Sequence, residues 1–248
     1  MALVEYAQRL GDNSLILGQR LGEWCGHGPQ LELDIALTNF SLDMIGQANL
    51  YLGYAGEVEG KSRDADAMAY LRDELEFRNC LLVEQPNGDF GQTIMRHFLF
   101  STFQHLHLEA LQSSKDETLA GIAGKAIKEV AYHVKFSADW VRRLGGGTPE
   151  SHQRMQTALD NLWRFTGELF ETDGVDALLL AEGIAVDLSA LQDPWNTAVQ
   201  TVLKDAGLRL PKGQVVVSGG RKGNHSEHLG PMLAEMQFLQ RAYPGLDW

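Results

Sequence analysis

The chain has 248 residues, of which 44% are hydrophobic, and its formal net charge at pH 7 is -12. This length suits one large helical domain or two small ones, and the apolar share is ample for a core. The acidic surface argues against nucleic acid or an anionic membrane as the main partner. We find no membrane-spanning apolar run and no signal peptide, and Cys25 and Cys80 lack metal-binding spacing, so we expect a cytoplasmic protein with reduced, buried thiols.

The first predicted helix runs from about Val4 to Cys25. Its glycines Gly11, Gly18 and Gly22 lie on one face, at spacings of seven and four residues. A glycine inside a helix costs about 1 kcal/mol relative to alanine. Three glycines on one face therefore predict that a second helix approaches closely there.

The second predicted helix extends from about Leu31 to Val58 and has one continuous apolar stripe. Asp43 and Gln47 flank this stripe, one turn apart. A third predicted helix, from about Ala65 to Leu82, carries Glu74 in the middle of its apolar face. A carboxylate in that position favours a buried ion pair or hydrogen bond, and a ligand role is the alternative.

The fourth predicted helix, Phe90 to Ser113, is apolar nearly all round, which is typical of the middle of a helical bundle. Asp89 is its predicted N-cap. Three histidines of this helix lack carboxylates at helical spacing, which favours hydrogen-bonded or surface histidines over metal ligands. They are His97, His105 and His107.

The fifth predicted helix, about Asp116 to Leu144, is the one around which the others are organised. Glu129 and His133 lie beside its apolar arc, one turn apart. Burying either side chain without a partner is costly. The pair therefore requires either a metal ion or another side chain.

For the remainder of the chain we predict shorter elements. Helices are expected at about Ser151–Glu171, at about Asp193–Ala206 and from His228, and a short hairpin is expected around 215–217. The total is seven or eight helices, four of them long. These lengths predict an all-α protein with a four-helix bundle core and additional helices, as a single domain over residues 1–248.

Bundles of this kind hold two irons with a Glu from each of two helices and Glu-x-x-His from each of the other two. In this chain Glu129-x-x leads to Tyr132, and His133 comes one residue late. Asp43-x-x leads to Gly46. The spacing therefore favours a network of side chains that hydrogen-bond one another over a pair of metal ions.

From these departures we predict no catalytic, cofactor-binding or metal-binding residue in this chain. We interpret five side chains as candidates for a degenerate metal site. They are Asp43, Gln47, Glu74, Glu129 and His133.

Several longer motifs carry a family resemblance. They are Leu-Gly-Asp-Asn-x-Leu-Ile-Leu-Gly-Gln-Arg-Leu-Gly-Glu-Trp-Cys-Gly-His (10–27), Leu-Leu-Val-Glu-Gln-Pro-Asn-Gly-Asp-Phe (81–90), Lys-Glu-x-x-Tyr-His (128–133), Leu-Trp-Arg-Phe-Thr-Gly-Glu-Leu-Phe (162–170), Glu-Gly-Ile-Ala-Val-Asp (182–187) and His-Leu-Gly-Pro-Met-Leu-Ala-Glu-Met-Gln-Phe-Leu-Gln-Arg (228–241). With them, the chain resembles the C-type subunits of bacterial phenylacetyl-CoA epoxidases, the ring-1,2-phenylacetyl-CoA monooxygenases. The resemblance spans essentially the whole chain.

This resemblance implies a ferritin-like fold and membership of a multicomponent monooxygenase in aerobic phenylacetate degradation. It implies that the di-iron centre lies in the related catalytic (A-type) subunit, with flavin and a [2Fe–2S] cluster in a reductase. The C-type subunit is then a non-catalytic structural component that supports the catalytic subunit, with other complex subunits as partners and a homodimer when alone. The alternative is that this chain is itself a metal-binding, di-iron-type oxygenase subunit that uses Glu129, His133, Asp43 and Glu74.

Overall fold

The structure is a computed structural model that describes residues 1–246. All regular secondary structure in this part of the chain is helical, which confirms the all-α fold class. No helix within residues 1–246 combines the length and apolar character that crossing a membrane requires. The α-helices are α1 (Ala2–Gly22), α2 (Leu31–Glu59), α3 (Ala65–Tyr70), α4 (Leu81–Glu84), α5 (Phe90–Leu111), α6 (Glu117–Gly145), α7 (Pro149–Leu162), α8 (Gly174–Glu182), α9 (Gln192–Asp205), α10 (Leu229–Met236) and α11 (Phe238–Ala242).

The four long predicted helices are confirmed as α1, α2, α5 and α6, the number that a ferritin-like four-helix core requires. The count of seven or eight helices is too low, because short helices connect the long ones. Two of the long helices begin at predicted positions, with Asp89 as the predicted N-cap of one and Asp116 as the predicted start of the other. Asp89 accepts a hydrogen bond from Gln92 N at 2.9 Å, and Asp116 accepts one from Leu119 N at 2.9 Å.

The chain divides into two compact units, residues 1–85 with 218–246 (unit 1) and residues 86–217 (unit 2). In unit 1, α1 packs along α2. The three glycines of α1 make this close approach possible. A Cβ atom at Gly11 would lie 2.7 Å from Leu52 Cδ2, and one at Gly18 would lie 3.1 Å from Ile45 Cγ1. The predicted helix–helix contact at this face is confirmed.

The predicted helix from Ala65 to Leu82 is wrong, because the chain leaves the helical path after Tyr70. Arg72 turns its guanidinium back, donates to the carbonyl of Met68 and pairs with Asp12. A short 3₁₀-helix, Glu74–Glu76, follows, and the carboxylate of its last residue accepts the Asp73 backbone N–H at 2.8 Å. Tertiary contacts thus override the apolar periodicity of this stretch.

In unit 2, α5 packs against α6, α7 and α9. Trp195 of α9 is 1% exposed, and its indole N–H donates to the Leu99 carbonyl of α5 at 3.0 Å. A Cβ atom at Gly145 would lie 2.7 Å from Ala206 O, so α6 ends where the chain after α9 comes too close for a side chain. These contacts make α5 the central helix of unit 2, as its apolar circumference predicts.

Three further predictions need correction. The expected helix over Ser151–Glu171 is α7 followed by two 3₁₀ turns. The hairpin around 215–217 is absent from the described residues, and Val217 N instead donates to Arg164 O at 2.9 Å. Cys80 is buried as expected, but Cys25 is exposed.

Candidate functional site

The five candidate residues lie on three separate elements. Asp43 and Gln47 are on α2 and Glu74 is in the 3₁₀-helix after α3, all in unit 1; Glu129 and His133 are on α6 in unit 2. Gln47 and His133 are buried, whereas Asp43, Glu74 and Glu129 are partly exposed. The half-buried helix shoulders predicted from the periodicity of α2 and α6 are therefore present.

His133 packs against a second histidine that the sequence did not single out as its neighbour. The ring of His97 on α5 lies 5.1 Å from the ring of His133, centroid to centroid, and both side chains have no exposed surface. Burial lowers the pKa of His97 well below its ordinary value, and the nearby His133 and Arg96 lower it further. Unit 2 therefore keeps a neutral imidazole in its core at neutral pH.

Glu74 lies in a groove of about 480 Å³ in unit 1 instead of on the apolar face of a helix. A Cβ atom at Gly230 would lie 2.7 Å from Glu74 Oε2, so only a glycine lets this carboxylate come so near the start of α10. A negative charge at a helix N-terminus is favourable. Glu74 thus lies where its charge is favourable for α10.

Glu84 forms a polar centre that the sequence analysis missed. Its carboxylate is fully buried, and it accepts hydrogen bonds from Asn79 Nδ2 at 2.9 Å and from Ser226 N at 2.6 Å. His225 Nδ1 lies 2.8 Å from Glu84 Oε2, and its Nε2 lies 3.1 Å from Phe77 O. Because both ring nitrogens face acceptors, the ring satisfies both contacts only when each nitrogen carries a proton.

The imidazolium of His225 and the carboxylate of Glu84 are therefore a buried ion pair. Burial pulls the pKa of His225 down, but the hydrogen bond to Glu84 and the charge of Glu84 outweigh burial and raise the pKa above 6.5. Arg20 fixes the same region from α1, because its guanidinium donates to Glu84 O at 2.9 Å and to His228 O at 3.1 Å. This polar centre fastens the C-terminal segment of unit 1 to α1 and α4.

A second buried ion pair in unit 1 joins Asp12 of α1 to Arg72. Asp12 has no exposed surface and Arg72 is 2% exposed. Arg72 Nη1 donates to Asp12 Oδ2 at 2.9 Å, Nη2 donates to Oδ1, and the Arg78 backbone N–H adds a bond to Oδ2 at 2.8 Å. Three hydrogen bonds and the charge of Arg72 thus compensate for the burial of this carboxylate.

Sequence reasoning found the histidine of unit 2 but not the polar centres of unit 1. One signal for Glu84 was available, because three apolar residues, 81–83, precede it directly and predict a buried position. No local signal exists for Asp12 and Arg72, or for Glu84 and His225. These partners are 60 and 141 residues apart in the chain, so helical spacing does not connect them.

The side chains at these positions do not fit a di-iron centre. Within residues 1–246, no three His, Cys, Asp or Glu side chains converge in a way that could hold a metal ion. Two carboxylate-bridged irons need about six such donors from four helices. The two fully buried carboxylates Asp12 and Glu84 of unit 1 are instead bonded to side chains of the same unit, Arg72 for Asp12 and Asn79 and His225 for Glu84.

Comparison with known proteins identifies the family of this chain. Residues 1–248 match a family model described as phenylacetic acid catabolic protein. The chain belongs to this family. Within the phenylacetic acid catabolic family, it is 52% identical over 246 residues to the C subunit of 1,2-phenylacetyl-CoA epoxidase from Escherichia coli strain K12, and this match covers 99% of each chain. The family resemblance predicted from the motifs is thereby confirmed.

Proposed function

We propose that this chain is the C-type subunit of a phenylacetyl-CoA epoxidase, a component that does no chemistry itself and supports the di-iron catalytic (A-type) subunit. One observation carries the proposal. The side chains at the ferritin-like ligand positions, above all Glu129 with Tyr132 three residues on, do not make a di-iron donor set. The identity to a relative named as one component of the epoxidase supports the placement in a complex.

The buried ion pairs of unit 1 fit a supporting role. Hydrogen-bonded groups such as Glu84 with His225 hold helices in one arrangement, and their satisfied atoms offer no open position to a reactant. The remnant carboxylates Asp43 and Glu129 serve the packing of α2 and α6 in this account. Helices that these bonds hold in one arrangement present a fixed surface, and the catalytic partner folds and assembles against that surface.

The rest of the proposal follows from the same assignment. The redox groups belong to the partners, with di-iron in the catalytic subunit and flavin and a [2Fe–2S] cluster in the reductase, and none in this chain. The protein acts in the cytoplasm, without nucleic acid or membrane, and self-associates only when the catalytic subunit is absent. The single ferritin-like domain predicted for residues 1–248 remains part of the proposal, and one family model that matches this whole range supports it.

The competing function is a di-iron-type oxygenase subunit that binds metal with Glu129, His133 and Asp43. One feature favours it, because His97 places a second imidazole within 5.1 Å of the His133 ring. The low pKa of His97 keeps that imidazole in the neutral form that metals bind. A reconstitution experiment separates the two functions.

The experiment measures turnover of phenylacetyl-CoA by the cognate catalytic subunit and reductase, with and without this chain. We expect turnover to require the chain, and to survive the isosteric replacements Glu129→Gln and Asp43→Asn, because neither carboxylate holds a metal in this account. Lys128→Gln, next to Glu129 on the exposed side of α6, is the matched control. Loss of turnover in Glu129→Gln, with the complex still assembled, would contradict the proposal and favour the competing function.

A further inference from the structure

Helix α2 is apolar on two opposite faces. The predicted stripe is buried, with Leu37 and Met44 fully inaccessible. The opposite face is exposed, with Leu31 at 72%, Ile35 at 51% and Leu42 at 62% of their full accessibility. These three residues lie within about 60° of one another on a helical wheel, which makes a straight seam along the first half of α2.

This outward seam of α2 (Leu31, Ile35, Leu42 and, at its edge, Ile45) has the spacing of an interaction surface. Ile45 is 37% exposed. With Thr38 included, the positions 31, 35, 38, 42 and 45 are separated by four, three, four and three residues. This is the pattern by which one helix packs along another. Scattered apolar residues on a protein surface are ordinary, but a contiguous row on one helix marks a site for a partner.

Two glycines on the same side of α2 face little or nothing within residues 1–246. A Cβ atom at Gly46 would meet nothing within 4 Å, and one at Gly53 would meet only Ala65 Cβ at 4.0 Å. The glycines of α1 differ, because Gly11 and Gly18 face close neighbours on α2. A glycine in an exposed helix interior costs stability relative to alanine. Close approach of a helix from another chain gives Gly46 and Gly53 the same role that Gly11 and Gly18 have inside unit 1.

The charges around the outward seam indicate which kind of partner can bind there. Helix α2 carries five acidic residues and no lysine or arginine. The preceding part of the chain has only Arg9 and Arg20 as lysine or arginine residues, and both are buried and ion-paired, with Glu5 and Glu23. No lysine or arginine of residues 1–60 is therefore available to rim this seam. A second copy of α2 would bring a second set of carboxylates against the first, which is unfavourable.

We infer that the outward seam of α2 is the docking face for a helix of the catalytic partner subunit, one with an apolar seam flanked by lysine and arginine. The inference rests on the proposed function and adds the surface and the chemistry of its partner. Apolar side chains supply the centre of the contact, Gly46 and Gly53 let the two helices approach closely, and Glu32 at the rim faces the basic residues.

The test measures the affinity of the full-length protein for the cognate catalytic subunit by titration calorimetry. Leu42→Glu places a charge in the seam, and Gly46→Leu fills the space that the partner helix needs. Each variant is expected to weaken binding by about tenfold or more. Neither is expected to lower the melting temperature of the isolated chain, because Leu42 is exposed and Gly46 faces open space.

Two matched controls accompany these variants. Leu178→Glu changes a leucine of α8 whose exposure, 51%, equals that of Ile35. Gly121→Leu changes a glycine of α6 whose Cβ would also meet nothing within 4 Å. Both controls are expected to bind the catalytic subunit as the wild type does. Glu32→Lys tests the charge, and it is expected to weaken binding and to reduce the loss of affinity with added salt.

The outcomes separate the inference from the proposed function. If the wild type binds the catalytic subunit and Leu42→Glu and Gly46→Leu bind equally well, the inference is overturned and the proposed function stands. If the wild type does not bind, both fail. If sedimentation shows that the seam variants break a homodimer while the affinity for the catalytic subunit is unchanged, the seam belongs to a second copy, which also overturns the inference.

Discussion

Asp12 is a carboxylate with no exposed surface, and its charge is acceptable in the core of unit 1 because Arg72 and the Arg78 amide satisfy it. Arg72→Met removes the cation and leaves the anion buried. Breaking a buried pair in this way costs about 3–5 kcal/mol. We expect a loss of that size in the free energy of unfolding, measured by urea denaturation.

A matched control for this variant is Arg142→Met on α6. Arg142 pairs with Asp205 at 3.0 Å, but its side chain is 39% exposed and solvent screens the pair. We expect a loss below about 1 kcal/mol. Equal losses of unfolding free energy for Arg72→Met and Arg142→Met would contradict the prediction that the buried pair of Asp12 and Arg72 matters more for stability than an exposed pair.

His225 predicts a pH dependence of stability whose sign follows from its raised pKa. Folding raises the pKa of His225 above 6.5, so the native state holds its proton more tightly than the unfolded state. The stabilisation that protonated His225 gives to the folded state is complete below pH 6.5. It is lost as the pH rises through the pKa of His225 in the folded state. We expect the stability difference between wild type and His225→Gln to be largest below that pH and to shrink above it.

The measurement is a series of denaturation curves from mildly acidic to mildly alkaline pH. His27→Gln, at an exposed histidine in the turn after α1, is the control and is expected to follow the wild-type curve. A difference between wild type and His225→Gln that grows as the pH rises would reverse the predicted sign and exclude the charged pair with Glu84.

At the scale of elements, the contact of α1 with α2 depends on the absence of side chains along one face of α1. A Cβ atom at Gly18 would already lie 3.2 Å from Met44 Cβ, so a larger side chain forces the two helices apart. We expect Gly18→Leu to lower the free energy of unfolding by about 1–3 kcal/mol, the usual cost of overpacking a core. Thermal and urea denaturation measure this change.

Gly46→Ala on α2 is the opposite case and the control for Gly18→Leu. Its added methyl group meets nothing within 4 Å, so only helix propensity acts. We expect a gain of up to about 1 kcal/mol. If Gly18→Leu is as well tolerated as Gly46→Ala, the close approach of α1 and α2 is not what holds unit 1 together.

The long helices were predictable from sequence because each has a continuous apolar stripe and a recognisable end. The glycine face of α1 and the caps Asp89 and Asp116 gave correct contacts and boundaries. The stretch 65–82 was not predictable in this way. Its periodicity is helical, but Arg72 binds Asp12, a residue 60 positions earlier, and that contact decides the local path.

For the candidate site as well, periodicity predicted positions along each helix but not contacts between distant parts of the chain. Periodicity placed Glu129 and His133 together beside the apolar arc of α6, and the structure has His133 buried and Glu129 partly exposed. It did not reveal that His97 of α5 lies against His133, since the register between two helices depends on packing along their whole length. It also missed Glu84 and His225, which meet only because the chain end returns to unit 1.

For the complete protein, the family match shows membership of the phenylacetic acid catabolic proteins, and the proposed supporting role depends on the donor set. A member of the phenylacetic acid catabolic family keeps four long helices, while its ligand positions hold side chains that do not make a di-iron set. In the proposed function, this chain holds no pair of irons among its helices, and redox chemistry belongs to a partner.

Iron analysis by mass spectrometry tests this claim most directly. The full-length chain and the cognate catalytic subunit are expressed separately in iron-supplemented medium and purified in parallel without chelators, so that the catalytic subunit controls for iron loading. We predict a stoichiometric pair of irons in the catalytic subunit and only trace iron in this chain. A stoichiometric pair of irons in this chain, lost in Glu129→Gln, would contradict the account.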